Sequence, residues 1–146
     1  MLDLVKRKRV DLLVDQLWKY GYLTLKRKFG TYLPEPEKVG EFDIDIVSRQ
    51  KKDYAIGVTL SVDEMNNPKL LEKISFLATR HTKFTNNNVT LFLGVPSSHL
   101  RKVKQLVEVL GDDIRKNIKF VSIPETEVPS TTVKRRKKET NKSIFA

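Results

Sequence analysis

Cysteine is absent from the chain. That single absence excludes disulfides, thiolate zinc sites and cysteine nucleophiles, and it fits an intracellular setting. Histidine is nearly absent as well: His81 and His99 are the only two, too few for a histidine metal cluster. No apolar run approaches the roughly 18 residues that a membrane helix needs, and the N-terminus carries no signal-peptide pattern. A basic amphipathic helix with exposed aromatics is missing too, so no membrane surface is expected as partner. Glycine-rich phosphate loops are also lacking, which speaks against nucleotide hydrolysis. The expectation is a soluble, cytoplasmic protein.

Positive charge is what the chain has in excess. Its 146 residues hold 28 Lys or Arg against 18 Asp or Glu, a formal charge of +10. Such a balance favours polyanions through counterion release and steering. Nucleic acid, and DNA first, is the expected partner, with association to the nucleoid. The plainer reading is a highly charged surface that serves solubility or thermostability. The length favours one domain with one hydrophobic core.

Periodicity divides the chain into elements. Residues 2–20 carry Val10, Leu13, Val14, Leu17 and Trp18 at three- and four-residue spacing, one apolar helical stripe ended by Gly21. Residues 22–29 alternate Leu23, Leu25 and Phe29 against Thr24, Lys26 and Lys28, a strand with one basic face. A loop follows over 31–40, with Pro34, Pro36 and Gly40. Residues 42–49 set Ile44 and Ile46 on one face and Asp43, Asp45 and Val47 on the other. Residues 54–61 set Tyr54, Ile56, Val58 and Leu60 against Ala55, Gly57, Thr59 and Ser61. The short link 50–53 makes these two an antiparallel hairpin.

Asn67 followed by Pro68 predicts the start of a second helix, with Leu70, Leu71, Ile74, Leu77 and Ala78 facing the core. Residues 89–95 are nearly all apolar, as in a strand covered on both faces. A third helix from Ser97 or Ser98 carries Leu100, Val103, Leu106, Val107 and Leu110, and residues 118–123 form a last strand. The expected architecture is α/β, a mixed sheet flanked by helices in the order α-β-β-β-α-β-α-β. Residues 1–124 form the domain, and 125–146, with the basic run Lys134 to Lys138, form a flexible tail.

This order, with the segment Gly40-Glu41-Phe42-Asp43-Ile44-Asp45-Ile46-Val47-Ser48-Arg49 and the hairpin into Tyr54-Ala55-Ile56-Gly57-Val58-Thr59-Leu60, resembles the PD-(D/E)XK nuclease superfamily. That superfamily includes restriction enzymes and archaeal Holliday-junction resolvases. The resemblance spans residues 2–96 and implies a restriction-endonuclease-like fold. It puts Asp45 at the family's aspartate, while the family's Glu-x-Lys position reads Gly57-Val58-Thr59. In the family, carboxylates on adjacent strands share a divalent ion, and the lysine stabilises charge or orients water. Glycine offers no ligand and threonine no positive charge, so the resemblance implies the fold more strongly than the activity.

Two functional readings follow. In the first, the chain is a nucleic-acid-binding pseudo-nuclease, accessory to repair, recombination or mobile-element biology. In the second it is an active Mg- or Mn-dependent DNA endonuclease with relocated residues. Asp45, Asp43 and Lys73 are then the candidate catalytic residues, and Asp45, Asp43 and Glu64 the candidate metal ligands. Glu72, Asp63, Asp11 and Asp15 are further acids within reach of such a site; for the last two, ion pairs with Arg7 and Lys19 at four-residue spacing are the plainer account. Candidate phosphate contacts are Lys26, Lys28, Arg80 and Lys83 in the domain and Lys134, Arg135 and Arg136 in the tail. His81 reads as structural, and Tyr32 either packs within its loop or stacks on a base. A homodimer, as in many resolvase-like proteins, is a further expectation from the resemblance. The end of the chain, with Ile144 and Phe145, is similar to sliding-clamp-binding tails. A third reading is a protein-interaction module whose basic surface meets an acidic partner.

Overall fold

The computed structural model describes residues 2–82 and 87–124. Helix α1 (Leu2–Lys19) leads into strands β1 (Leu23–Arg27), β2 (Ile46–Gln50) and β3 (Asp53–Thr59). Two helices follow, α2 (Val62–Met65) and α3 (Leu70–Ala78), then strand β4 (Thr90–Pro96). A 3-10 turn at Ser97–His99 opens helix α4 (Leu100–Val107), and helix α5 (Asp112–Arg115) precedes strand β5 (Ile118–Ile123).

The five strands lie in chain order in one sheet. β2 is antiparallel to both β1 and β3, whereas β3, β4 and β5 run parallel. The change of mode follows from the connections. A two-residue turn at Lys51 and Lys52 can only reverse the chain, while helix-bearing crossovers return it in the same direction.

Helices cover both faces, and the strand alternation sorts the core accordingly. Val10, Leu13 and Leu17 of α1 pack with Ile46, Ala55, Phe92 and Val121 on one face. Ile56, Val58, Leu91 and Leu93 meet Ile74 and Leu77 of α3 and Val103 and Val107 of α4 on the other. The chain is therefore an α/β protein with a five-stranded mixed sheet flanked by helices, as the periodicity predicts. None of its helices, among the described residues, is long and apolar enough to cross a membrane.

Four details depart from the expected pattern. Trp18 is 65% exposed: it lies one residue beyond Leu17, and that step of about 100° turns it off the stripe. Leu23 is 57% exposed, because a register shift between Thr24 and Lys26 breaks the alternation of β1. Ile44 and Ile46 join opposite cores. The chain before Ile46 is not strand but a turn closed by reciprocal backbone hydrogen bonds between Val39 and Phe42, so the period of two begins only at Ile46. Finally, α3 starts at Leu70 and not at Pro68. Asn67 accepts a hydrogen bond from the Lys69 N–H through its side chain at 2.9 Å, and the real cap is one element earlier. Ser61 and Glu64 form a reciprocal capping box on α2, whose Ser-x-x-Glu signature is visible in the sequence.

Candidate functional site: a lysine-lined cleft over Asp45

Asp45 occupies the residue before β2, where three elements meet. Its backbone N–H donates to the Gly57 carbonyl of β3 at 3.0 Å, and its carbonyl accepts from the Lys28 N–H, just past β1, at 2.9 Å. Pinned on both sides, the residue is 2% exposed. A buried carboxylate needs compensation, and here it comes from four groups. Oδ2 accepts from the Thr59 backbone N–H at 2.7 Å, from Thr59 Oγ1 at 3.0 Å and from Lys6 Nζ at 3.3 Å. Lys28 Nζ stands 3.8 Å from Oδ1. Lys6 also donates to the Thr59 carbonyl at 3.3 Å, which fixes the ammonium over the end of β3.

Two basic runs that lie far apart in sequence, Lys6 to Arg9 and Lys26 to Lys28, therefore converge on one carboxylate. Lys6 belongs to the run at the start of α1, Lys28 to the run ending β1. Packing of α1 across β1 and β3 brings them together, and the ion pair between Arg27 and Asp11 ties the same two elements. Asp11 thus pairs with Arg27 and not, as its spacing predicts, with Arg7. The sequence signal for Lys6 was its position: it precedes Val10 by four residues and so extends the stripe of Val10, Leu13 and Leu17. A lysine in line with a core stripe has its stem buried and its head aimed at whatever lies beyond.

The carboxylate forms the floor of a hollow of about 410 Å³. Lys6, Lys28, Lys69 and Lys73 line it, together with Glu41, Asp43, Asp45 and Glu64. Asp43, Asp45, Glu64 and Lys73, the candidates from sequence, thus share one cleft. Glu64 is already engaged, since its Oε1 accepts from the Ser61 N–H at 2.9 Å. Burial pushes the Lys73 ammonium below the usual lysine range; Glu64, Asp45 and Asp43 pull it back, and Lys6 adds to the lowering.

The arrangement does not fit a divalent ion as it stands. Asp45 spends Oδ2 on three donors and faces Lys28 with Oδ1, and among the described residues no three His, Asp or Glu side chains converge as a metal-holding group. The positions matched to Glu-x-Lys are likewise taken. Thr59 is fully buried and donates twice to Asp45. A Cβ on Gly57 would stand 3.0 Å from Ile46 Cβ and 3.2 Å from Leu13 Cδ2, so a glutamate there would start inside the packed layer beneath α1. The glycine in β3 marks a close helix approach. What the cleft offers chemically is two ammonium groups anchored on Asp45, Lys6 and Lys28, beside Lys69, Lys73 and the carboxylates of Glu41, Asp43 and Glu64.

The remaining candidates lie elsewhere. Lys26 does not line this cleft. Arg80 sits past the opposite end of α3, its guanidinium 3.8 Å over the Phe76 ring and its Nε donating to the Phe76 carbonyl at 2.9 Å. His81 is exposed and bridges to Asn88. Lys83, Lys134, Arg135 and Arg136, and the tail with Ile144 and Phe145, lie outside the described residues. A second depression, lined by Val5, Lys6, Arg9 and residues 61–64, adjoins the cleft and shares Lys6 and Glu64 with it. Comparison with protein-family models, curated proteins and solved structures matches this chain to none of them.

Proposed function

We propose that this protein binds nucleic acid, DNA first, on a restriction-endonuclease-like scaffold, and holds it without cutting it. One observation carries the reading: Lys6 and Lys28, from two separate basic runs, are both anchored on the buried carboxylate of Asp45 at the floor of an open cleft. Asp45 is then a positioning residue. It orients cations toward a phosphate backbone where a nuclease of the resembled superfamily would orient a metal ion. The net charge of +10 supplies the long-range attraction. Such a protein would serve repair, recombination or mobile-element biology as an accessory factor.

A second reading, a divalent-metal-dependent DNA endonuclease, draws on one observation as well: Asp43, Asp45, Glu64 and Lys73 line the same cleft. The two readings separate in a gel assay on duplex, single-stranded and four-way-junction DNA with magnesium, manganese or chelator. The first expects retarded, intact DNA under every condition. It also expects Lys28→Gln to weaken binding across sequences and to lower the salt slope by about 0.9, one phosphate's worth. Cleavage that needs metal and disappears in Asp45→Asn would replace the first reading by the second. No retardation at all would sink both.

A further inference from the structure

From Lys28, which lines the cleft, the chain to Pro34 makes a closed turn that carries Tyr32. Both feet are tied down. The Arg27 N–H donates to the Pro34 carbonyl at 3.0 Å, and Arg27 is itself ion-paired to Asp11 of α1. Within the turn, Phe29 holds φ at +62°, a conformation that side chains other than glycine adopt only at a cost. At Gly30 an added Cβ would stand 3.0 Å from the Leu33 carbonyl oxygen, so the backbone is drawn in tightly. Pro34 and Pro36 stiffen the exit. This is a fixed support, and what it supports is a phenol ring turned away from the protein: Tyr32 is 95% exposed.

A loop tyrosine ordinarily packs on its own neighbours; among the described residues this one stays almost fully exposed. Leu33 beside it is also exposed, at 38%. The foot of the same turn is Lys28, one of the two lysines on Asp45. An aromatic plate therefore stands four residues along a pinned turn from a cation that faces the cleft. Backbone-tracking cations beside a free aromatic face are the two parts of a site for unpaired nucleotides, because a base can stack on the ring only when it has left its own helix.

We infer that the cleft takes single-stranded nucleic acid, or the unpaired part of a gapped or flapped strand, with Tyr32 stacking on an exposed base while Lys28 meets a neighbouring phosphate. The inference rests on the nucleic-acid-binding reading and narrows its ligand class. Uninterrupted duplex offers no free base face to Tyr32 and would be held by charge alone. The ring itself is indifferent to sugar, so single-stranded DNA and RNA both qualify.

Fluorescence anisotropy with the full chain tests it, using labelled single-stranded DNA, single-stranded RNA, blunt duplex and gapped duplex of equal length. The wild-type protein should prefer the single-stranded and gapped ligands. Tyr32→Ala should weaken those by about tenfold, leave blunt duplex within about twofold, and leave the salt slope unchanged because no phosphate contact is lost. Tyr32→Trp should retain or strengthen single-strand binding. Since the ring is 95% exposed among the described residues, thermal melting should not move in either variant. Equal affinity of wild-type and Tyr32→Ala for single strands, or an equal loss on single strands and duplex, overturns the inference while nucleic-acid binding itself survives. Absence of binding to any of the four ligands overturns both the inference and the function on which it rests.

Discussion

Helix α3 separates two hollows of nearly equal size and opposite chemistry. On one side lies the cleft over Asp45, about 410 Å³, ringed by four lysines and four carboxylates. On the other, between α3 and α4, lies a groove of about 400 Å³ lined by Met65, Leu70, Leu71, Val103, Leu106 and Val109, with Lys102 and Gln105 at its edge. Leu70 belongs to both. The comparison shows how one amphipathic helix serves two purposes. The capping residue Lys69 and Lys73 in the first turn line the charged side, while Leu70 and Leu71 line the apolar side. In the groove, stability comes from area removed from water and varies smoothly with side-chain size. In the cleft it comes from pairing a buried charge, which is all or nothing: a satisfied carboxylate costs little, an orphaned partner costs much.

The sharpest way to break this contrast is to remove Asp45. Asp45→Ala leaves the buried Thr59 N–H and hydroxyl without an acceptor and Lys6 without its counter-charge. We expect a loss of about 3 kcal/mol, read from the shift in denaturant midpoint at constant slope. Asp45→Asn keeps an acceptor for Thr59 but not the charge, and should lose roughly half as much. A loss below about 0.5 kcal/mol in the alanine variant would mean that Asp45 is an ordinary surface acid, and the anchoring role would fall.

On the apolar side the effects should be graded. Leu70→Ala removes a side chain that is 5% exposed and packs in the larger core. A loss of about 2 kcal/mol is expected, the low end for a core leucine because the new space opens onto both hollows. Val109, 72% exposed at the groove rim, should accept lysine within about 0.5 kcal/mol. Chemical unfolding of both variants checks the gradation. A Val109→Lys loss as large as that of Leu70→Ala would show that the groove is packed more tightly than its outline implies.

How far these two regions were legible in the sequence differs for the same reason. The apolar groove and the sheet could be read because burial imposes a local period: Ile56, Val58 and Leu60 alternate as expected, and α4 buries Val103 and Val107 on its stripe. The reading failed where a local break resets the period, as at the Thr24/Lys26 register shift and the turn before Ile46. In the cleft, Asp45, Asp43, Glu64 and Lys73 were reachable through the family resemblance. Thr59 was not, since its double donation leaves no local trace, and the stripe that places Lys6 gives no sign that its ammonium meets Asp45, 39 residues away. Pairing of charge is a fact of tertiary packing; periodicity is blind to it.

Lys73 offers the finest test, because it asks which of two opposed forces wins inside the charged hollow. Burial lowers its pKa from the usual 10.5, and the nearby carboxylates of Glu64, Asp45 and Asp43 fail to restore it. Between the lowered value and 10.5 the unfolded chain binds a proton that the native chain does not, so stability rises with pH through that window. Below it, the native protein carries the full cost of a half-buried ammonium. Lys73→Met removes that cost. The variant should therefore be slightly more stable than wild type at neutral pH, and the difference should shrink as pH approaches 10.5, in paired urea titrations at several pH values. If the variant is less stable at neutral pH, or the difference does not vary with pH, the carboxylates outweigh burial. The charged hollow would then be a net-attractive cluster whose lysines stabilise the fold in their own right, beyond the role of Lys6 and Lys28 on Asp45.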